Sequence, residues 1–514
     1  MIDTVEKCCP ICKDEKYLYL FEIQKSTIVK CFGCGLLYAK HQSSLINDTV
    51  TEQYNYPFSS TWTEGKTETE ASKKYVEMLF NRLGKTGRVL LIAPHKHCFA
   101  ALAKERGFDV VNHMDIRDFE KGIAVEPHLD AVVFLYQLEK SFMISNVLDR
   151  AYELLDSHGV LLVVTPSLDS PSARFLGSSW AEWRPENRYF FDYKNILSLC
   201  LRKGFNEIDV NKDVRWYTLA HFNERAASFP QTWQMRLINW IFRMVPSSLH
   251  SLRLLLPTSG MVVLAQKTGR RERPLLSVIL PVYNESATFP ILMEQLVNKN
   301  IDGIDKEIII IESNSSDNSR QLVLVYKNRP DVKIILQDKA RGKGNAVRQG
   351  FEHASGDILL IQDADLEYDL NDYEALLAPL ASYKHAFVLG SRHGGRWKMR
   401  HFDDQQQLSA YLNFGHVLFT TMINLLYGQH LKDPFTMFKV FRRECLYNLY
   451  FECNRFDFDY ELVIKLIRKG YVPVEIPVNY KSRSFQEGKK IDMYRDPLTW
   501  VKAIFKYRFA KITK

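Results

Sequence analysis

The chain has 514 residues, of which 46% are hydrophobic and 25% charged, as is typical of soluble globular proteins. No stretch reaches the ~18 to 20 uninterrupted apolar residues that span a bilayer, and the N-terminus lacks a basic region followed by an apolar one. The formal net charge of +8 is too small to indicate nucleic acid by itself. We expect about three domains in a cytoplasmic protein, dissolved or lying on a membrane.

Cysteines are concentrated at the N-terminus, where two C-x2-C pairs occur. The pairs are Cys9 with Cys12 and Cys31 with Cys34, and 18 residues separate them, a spacing typical of four-cysteine zinc sites. Four thiolates satisfy a tetrahedral Zn²⁺ ion and leave no open position, so residues 1–45 are predicted to be a structural zinc-binding module. The alternative is a group of buried cysteines without a metal.

A first α/β region follows the cysteines, because short apolar runs alternate with helical stretches from about Gly87. Residues 231–256 are predicted to be helical. The segment 267–274 has no apolar residue before Pro274 and is the predicted linker to the next domain. The predicted strands of the region are residues 89–92, 109–111, 131–134, 160–164 and 261–264.

Several positions of this region carry a resemblance. Asp115 follows the second strand, and Thr165-Pro166-Ser167, Trp180 and Gly204-Phe205 come later. With them, residues 7–267 resemble class I S-adenosylmethionine-dependent methyltransferases that carry an N-terminal zinc knuckle. The resemblance implies a Rossmann-like domain over residues 46–267, with Asp115 on the cofactor ribose.

The cofactor loop of that family is degenerate in this sequence. The family has D-x-G-x-G-x-G after the first strand, whereas this chain has Leu91-Ile92-Ala93-Pro94-His95-Lys96-His97. Pro94 removes an N–H, and the β-carbons would crowd the adenosine, which argues against S-adenosylmethionine binding. We interpret His95 and His97 as surface loop histidines without a metal.

A second α/β region begins at Leu275, with predicted strands at residues 277–280, 307–311, 332–336 and 358–361. Asp363 and Asp365 come directly after the last of these apolar runs. Carboxylates at i and i+2 on a turn offer oxygen ligands to Mg²⁺ or Mn²⁺, and such an ion can hold a donor diphosphate. The alternative is an acidic turn that caps the next helix.

Three further motifs accompany the acidic pair. They are Pro281-Val282-Tyr283-Asn284-Glu285, Glu312-Ser313-Asn314-Ser315-Ser316-Asp317 and the basic glycine loop Arg341-Gly342-Lys343-Gly344. With these motifs in this order, residues 275–511 resemble family 2 glycosyltransferases of the GT-A fold, especially the branch that includes polyprenyl-phosphate sugar synthases. The resemblance implies a GT-A domain over residues 275–514.

The resemblance also implies site residues. Glu312 replaces the aspartate that normally reads the base, Lys343 belongs to a loop that folds over the diphosphate, and Arg392 lies near the acceptor. The implied donor-binding residues are Pro281, Tyr283, Glu285, Glu312, Asp317, Lys343, Asp363 and Arg392. The implied metal ligands are Asp363, Asp365 and Glu367, and Asp365 is also a predicted catalytic residue.

An inverting transfer to a hydroxyl needs a carboxylate that accepts the proton. Asp433 is the first candidate for this catalytic base, and Asp457 and Asp459 are the next candidates. If the acceptor is a phosphate, no base is required and Asp433 only positions groups.

The C-terminal 50 residues are basic, with 13 Lys and Arg against 4 Asp and Glu. They include residues 475–484, followed by 487–490, a stretch that the family resemblance implies closes over the active site. A further basic stretch holds Arg396, Lys398, Arg400 and His401. Residues 497–509 are basic, aromatic and compatible with a helix. Such a helix can lie in a lipid headgroup layer or pack on the domain, and the sequence leaves both open.

The leading hypothesis is therefore an inverting, divalent-metal-dependent glycosyltransferase that moves a sugar from a nucleotide sugar to a lipid phosphate or surface glycan. A bifunctional enzyme that also methylates a sugar is one alternative. The other is that the N-terminal half is a non-catalytic docking scaffold for a glycan-assembly complex. We expect a cytoplasmic protein, peripheral on an anionic membrane face, with no nucleic-acid partner.

Overall fold

The computed structural model describes residues 8–12, 14–23, 26–41, 66–94, 97–218, 236–237, 240–241, 244–246, 252–269, 271–392, 406–481 and 495–513. The chain divides into two compact units, Met1–Gly269 and Arg270–Lys514. The division falls inside the segment 267–274.

The first unit confirms every strand predicted for the first α/β region. Its strands are β1 (Tyr17–Ile23), β2 (Ser26–Cys31), β3 (Leu37–His41), β4 (Arg88–Ile92), β5 (Asp109–Met114), β6 (Leu129–Leu135), β7 (Leu155–Pro166), β8 (Tyr189–Phe190), β9 (Phe205–Thr218) and β10 (Arg253–Lys267). Its helices are α1 (Lys66–Leu83), α2 (Phe99–Arg106), α3 (Ile116–Glu120), α4 (Ile144–Leu154), α5 (Pro171–Leu176) and α6 (Tyr193–Arg202).

The larger sheet of this unit has the strand order β5-β4-β6-β7-β10-β9. Strands β4 to β7 are parallel, and β10 is antiparallel to both of its neighbours. The strand order reverses at β4, which has β5 on one side and β6 on the other. Open α/β sheets bind ligands at the carboxyl edge of such a reversal.

A smaller antiparallel sheet joins the cysteine-rich segment to the rest of the first unit. Strands β1, β2 and β3 are followed in this sheet by β8, which pairs Leu37 with Phe190 and Tyr38 with Tyr189. Phe190 also packs in a cluster with Ile28. The boundary predicted at residue 45 therefore does not separate two compact bodies.

The helix predicted over residues 231–256 is wrong at its carboxyl end. Residues 253–256 lie in β10, where Arg253 pairs with Thr218 and Leu256 with Arg215. An apolar run of three leucines fits a strand as well as a helix, so periodicity alone misassigned it. Residues 236–237 and 240–241 are helical, and most of the remaining prediction lies outside the described residues.

The second unit also confirms its predicted strands. Its strands are β11 (Leu275–Val282), β12 (Asp305–Glu312), β13 (Val332–Leu336), β14 (Ile358–Ile361), β15 (Phe387–Ser391), β16 (Lys439–Arg442) and β17 (Val474–Pro477). Its helices are α7 (Phe289–Asn298), α8 (Ser319–Leu324), α9 (Lys343–His353), α10 (Tyr373–Ala381), α11 (Gln406–Tyr427), α12 (Asp457–Arg468) and α13 (Arg495–Phe509).

The seven strands of the second unit form one mixed sheet with the order β13-β12-β11-β14-β16-β15-β17. Strands β11 to β14 are parallel, and β16 is antiparallel to both neighbours. The order reverses at β11, between β12 and β14. The carboxyl ends of β11 and β14 therefore form the edge at which a ligand is expected.

Candidate active site

A cavity of about 690 Å³ opens at the carboxyl ends of β11 and β14. Pro281, Tyr283 and Glu285 line it from the loop after β11, and Asp363 and Asp365 line it from the turn after β14. These five predicted site residues meet because parallel strands bring their carboxyl ends to one edge of the sheet.

The acidic turn is built on a fully buried strand and a strained residue. Strand β14 is buried along its whole length, and Leu366 follows Asp365 with a φ of 59°, a conformation that branched side chains rarely adopt. The amide of Glu367 donates to Asp365 Oδ1 over 3.1 Å. Such strain is typical of functional turns held by their surroundings.

Lys343 places a cation beside this turn. Its Nζ lies 2.7 Å from Asp363 Oδ2 and 2.5 Å from Oδ1. Gly342 before it has a φ of 97°, and a Cβ there would lie 2.4 Å from the Asn454 carbonyl oxygen, so the loop requires glycine. Burial acts to lower the pKa of Lys343, but Asp363 and the nearby Asp459 and Asp365 raise it above its ordinary value.

Glu367 lines the cavity but is engaged with another residue. Its Oε2 accepts a hydrogen bond from the Tyr480 hydroxyl over 3.0 Å. The carboxylate oxygens of Asp363, Asp365 and Glu367 do not all lie within 4.8 Å of one another. Asp363 and Asp365 still fit Mg²⁺ or Mn²⁺, because such ions are commonly held by one or two carboxylates together with substrate phosphates.

Asp433 lies behind the cavity wall rather than on it. It is fully buried, and both of its oxygens bind Arg392: Nη2 lies 2.7 Å from Oδ1, and Nε lies 2.8 Å from Oδ2. Burial acts to raise the pKa of Asp433, but the Arg392 guanidinium outweighs it and holds the pKa well below the ordinary value. Arg392 itself lines the cavity. This geometry suits a positioning role for Asp433 rather than proton transfer.

The two reserve candidates for a base differ in position. Asp459 lines the cavity, and its Oδ1 lies 3.0 Å from the buried ammonium of Lys439. Asp457 accepts a hydrogen bond from the amide of Arg455 over 3.1 Å at the start of α12. Of this pair, Asp459 is the one that can contact a ligand in the cavity.

Glu312 and Asp317 stabilise loops instead of facing the cavity. Glu312 is fully buried, its Oε1 accepts the amide of Ser315 over 2.7 Å, and its Oε2 lies 3.2 Å from Arg320 Nε. Asp317 accepts the amides of Ser286 and Ser319. Neither acid is among the residues that line the cavity, whereas the neighbouring Ser313 is.

Part of the cavity lining is apolar, and the sequence motifs did not predict it. We call it the aromatic wall; it consists of Phe414, Leu418, Phe419, Phe435, Tyr460 and Trp500. Tyr460 stacks on Trp500 at 5.5 Å between ring centroids and contacts Phe435 at 4.4 Å. The wall comes from α11, α12, α13 and the loop before β16, so spacing along the chain carries no signal for it.

Helices α11 and α13 contact each other and expose apolar side chains. On α11 these are Phe414, Val417, Leu418 and Leu425, and on α13 they are Leu498, Val501, Phe505 and Phe509. Spacings of three, four and seven or eight residues place them on one face of each helix, which we call the exposed apolar faces. Phe414 is 66% exposed and also lines the cavity. None of the helices in the described residues is long and apolar enough to cross a bilayer.

Residues 497–509 are helical as predicted, within α13. Lys502 and Arg508 are exposed on this helix. The basic residues Arg396, Lys398, Arg400 and His401 and the segment 482–490 lie outside the described residues.

In the first unit, the four predicted zinc ligands converge. The Sγ atoms of Cys9 and Cys34 are 3.5 Å apart, those of Cys12 and Cys31 are 3.3 Å apart, and all four lie within 4.8 Å of one another. A Cβ at Gly33 would lie 3.1 Å from Cys12 Sγ. The arrangement fits a tetrahedral metal ion.

The degenerate cofactor loop differs from its prediction at one residue. His97 is not a surface histidine: its side chain is almost fully buried, and Nε2 lies 3.0 Å from Glu68 Oε1. Glu68 comes from α1, 29 positions earlier, so the local sequence gave no sign of the contact. His95 lies outside the described residues, and Asp115 caps α3 by accepting the amide of Asp118 over 2.9 Å.

Residues 277–449 match the family model described as glycosyl transferase family 2. The dolichyl-phosphate beta-glucosyltransferase of Saccharomyces cerevisiae is 29% identical over 271 residues, which cover 46% of this chain and 75% of that protein. The dolichol-phosphate mannosyltransferase of Pyrococcus furiosus is 27% identical, covering 42% of this chain and 58% of that protein.

A third relative is the undecaprenyl-phosphate 4-deoxy-4-formamido-L-arabinose transferase of Shewanella sediminis, 26% identical, with 42% of this chain and 61% of that protein covered. Among solved structures, glucosyl-3-phosphoglycerate synthase from Mycobacterium tuberculosis, in complex with Mn²⁺, UDP-glucose and phosphoglyceric acid, is similar at 19% identity. That match covers 46% of this chain and 81% of that one, with a TM-score of 0.34.

Proposed function

This chain is an enzyme of glycosyltransferase family 2, and from that premise we propose that it moves a sugar from a nucleotide sugar onto a polyprenyl phosphate. The relatives named for dolichyl, dolichol and undecaprenyl phosphate support this acceptor class. A surface glycan is the other acceptor that the sequence leaves open.

One observation carries the choice of a lipid acceptor: the cavity has two chemically different sides. Asp363, Asp365 and Lys343 form a charged side at the sheet edge, and the aromatic wall forms the other. A nucleoside diphosphate suits the charged side. A polyprenyl chain suits the apolar one, because burying apolar surface against it is favourable.

On the donor side, Asp363 and Asp365 would hold Mg²⁺ or Mn²⁺, which stabilises the charge on a departing diphosphate. Lys343 adds a positive charge at the same place and can exchange its contact with Asp363 for a phosphate oxygen. Pro281, Tyr283 and Glu285 line the part of the cavity that is left for the nucleoside.

On the acceptor side, the nucleophile is a phosphate oxygen that is already ionised, so no base is needed. This oxygen forms a bond to the anomeric carbon as the bond from that carbon to the nucleoside diphosphate breaks, with inversion. Asp433 fixes Arg392, which lines the cavity and can orient the acceptor phosphate. Asp459 lines the cavity and is the candidate base if the acceptor is a hydroxyl.

The exposed apolar faces of α11 and α13 support a membrane surface as the source of the acceptor. Phe414 belongs both to the cavity and to the face of α11, so apolar surface continues from the site to the outside. The exposed cations Lys502 and Arg508 on α13 suit anionic headgroups. These features support the proposal of a peripheral protein on the cytoplasmic membrane face.

For the first unit we retain a structural zinc ion at Cys9, Cys12, Cys31 and Cys34 and a docking role for a methyltransferase-like fold. The reversal of its sheet at β4 is where a cofactor would bind, and the loop after β4 has Ala93, His95 and His97 at the glycine positions of the family. This favours docking over methylation of a sugar.

The acceptor class is tested by incubating the full chain with Mn²⁺ and radiolabelled UDP-, GDP- or CDP-sugars, each with undecaprenyl phosphate, dolichyl phosphate or a soluble oligosaccharide. We expect label to appear in the organic phase with a polyprenyl phosphate. Label found only in the oligosaccharide would contradict the lipid acceptor and would make Asp459 the candidate base.

A further inference from the structure

Apart from the zinc module, the first unit brings together a second group of metal-ligating side chains: Glu68, His97 and Cys98. Glu68 lies in the first turn of α1, and His97 and Cys98 directly precede α2. A carboxylate oxygen, an imidazole nitrogen and the thiol sulfur all lie within 4.8 Å of one another. Helix α1 and the loop before α2 thus place a hard, a borderline and a soft ligand at one point.

The carboxylate of Glu68 is incompletely paired. Its Oε1 lies 3.0 Å from His97 Nε2, but its Oε2 is buried and has no hydrogen-bond partner among the described residues. The residue is 8% exposed. Buried carboxylate oxygens are normally paired with a donor or a cation, so this orphaned atom indicates a ligand that the described residues do not supply.

We propose that Glu68, His97 and Cys98 bind a zinc ion, separate from the ion of the four cysteines. Thiolate, imidazole and carboxylate are the ligand types that Zn²⁺ takes in proteins, and three of them leave one position for water or a substrate atom. The thiolate selects against Mg²⁺ and Mn²⁺, the ions of the transfer reaction. The ion would lie at the carboxyl edge of β4, next to the place of the degenerate loop.

Two protons move when the ion binds. The thiol of Cys98 now donates to Ser72 Oγ over 3.2 Å, and this proton is released as the Zn–S bond forms. The amide of Phe99 donates to His97 Nδ1 over 3.2 Å, so in the metal-free protein Nε2 carries the ring proton. Zinc at Nε2 moves that proton to Nδ1 and breaks the bond from Phe99, a cost that the thiolate and carboxylate offset.

The competing interpretation is a metal-free reactive thiol, in which His97 activates Cys98 and Glu68 orients His97. That arrangement uses Oε1 of Glu68 but leaves Oε2 without a partner. The zinc site accounts for the cluster and for the orphaned oxygen together, and we favour it for that reason.

The experiment counts zinc per chain in the full-length protein after exposure to excess zinc and removal of loosely bound metal. We expect Cys98→Ser and Glu68→Gln to bind one zinc ion fewer than the wild type. Cys200→Ala, which removes a buried thiol of the same unit outside both clusters, should bind as many as the wild type. Equal zinc content in Cys98→Ser and the wild type would overturn the proposal.

A second measurement uses the wild-type chain and so does not depend on the folding of a variant. The metal-free protein is treated with iodoacetamide with or without Zn²⁺, and modified cysteines are mapped by mass spectrometry. Zinc should slow modification of Cys98 at least tenfold, Mg²⁺ should not, and the partly exposed Cys453 of the other unit should react equally throughout. Modification of Cys98 at the same rate with and without zinc would leave the reactive thiol as the correct interpretation.

Discussion

The ammonium of Lys343 lies 2.7 Å from Asp363 Oδ2, so the first acid of the acidic turn is paired with a cation at the cavity wall. The two residues come from the starts of different elements, α9 and the turn after β14. Lys343 can bind a phosphate of the donor, and Asp363 can bind a metal ion. Donor binding would therefore rearrange the contact between these two residues.

Replacing the ammonium tests this arrangement. Lys343→Met should lower kcat/KM for the nucleotide sugar about 10²-fold, the usual loss when one charge-stabilising group is removed. Lys327→Met, which changes an exposed lysine in the turn after α8, is the matched control and should behave as wild type. Steady-state kinetics with varied donor measure both; unchanged kinetics in Lys343→Met would exclude a role for the lysine in donor binding.

The Arg392–Asp433 pair predicts a stability effect with a defined pH dependence. Asp433→Asn leaves a buried guanidinium with reduced pairing and should cost about 3 to 5 kcal/mol in the free energy of unfolding. Because the folded pKa of Asp433 lies below its ordinary value of 3.8, the contribution is fully present above that value and is lost only as the pH falls towards the folded pKa.

Urea unfolding of wild type and Asp433→Asn at several pH values measures this effect. The difference between them should be constant from pH 7 to pH 5. A difference that already disappears at pH 5 would contradict the pairing described for Asp433.

Glu139 predicts a pH effect of the opposite sign in the first unit. It is buried after β6, accepts a hydrogen bond from Thr165 Oγ1 over 2.9 Å, and burial raises its pKa to about 7. The pKa of such an acid is higher in the folded protein than in the unfolded chain. Its contribution to the free energy of unfolding is therefore fully present below its ordinary pKa and is lost as the pH rises towards 7.

Glu139→Gln keeps the shape of the side chain without the charge. It should therefore raise the melting temperature at pH 8, which corresponds to a gain of at most about 3 kcal/mol in the free energy of unfolding. At pH 5 it should change little. Thermal unfolding at the two pH values checks this, and equal effects at both would show that Glu139 is not protonated by burial.

The exposed apolar faces predict binding to lipid. Leu425→Glu combined with Leu498→Glu should reduce co-sedimentation with vesicles of phosphatidylcholine and phosphatidylglycerol at least fivefold, since each change places a charge in the apolar interface. Val325→Glu changes another exposed apolar side chain, at the C-cap of α8, and is the control. Equal sedimentation of all three proteins would contradict a membrane role for these faces.

How much of this site the sequence predicts depends on the origin of each residue. Asp363, Asp365 and Tyr283 were predictable because they directly follow buried runs that become parallel strands, whose ends must meet. The aromatic wall was not, because its members come from separate helices with no shared motif. Tertiary packing determines such contacts, and the spacing of residues along the chain does not predict it.

The sequence also could not show which side chains are buried against a partner that is distant along the chain. Asp433 and Glu312 occupy positions that match family motifs, yet Arg392 and Arg320 bind them away from the cavity surface. His97 was interpreted as exposed because Glu68 is distant in sequence. In each case the deciding contact joins residues that only the fold brings together.

The most direct test compares metal-dependent sugar transfer by Asp365→Asn with that by the control variant Asp302→Asn. Asp302 is an exposed acid remote from the cavity. Sugar transfer to polyprenyl phosphate is measured across a Mn²⁺ titration. The account predicts wild-type activity in Asp302→Asn and a loss of about 10²-fold or more in Asp365→Asn at every Mn²⁺ concentration. Wild-type activity in Asp365→Asn, or full activity of the wild-type enzyme in EDTA, would contradict it.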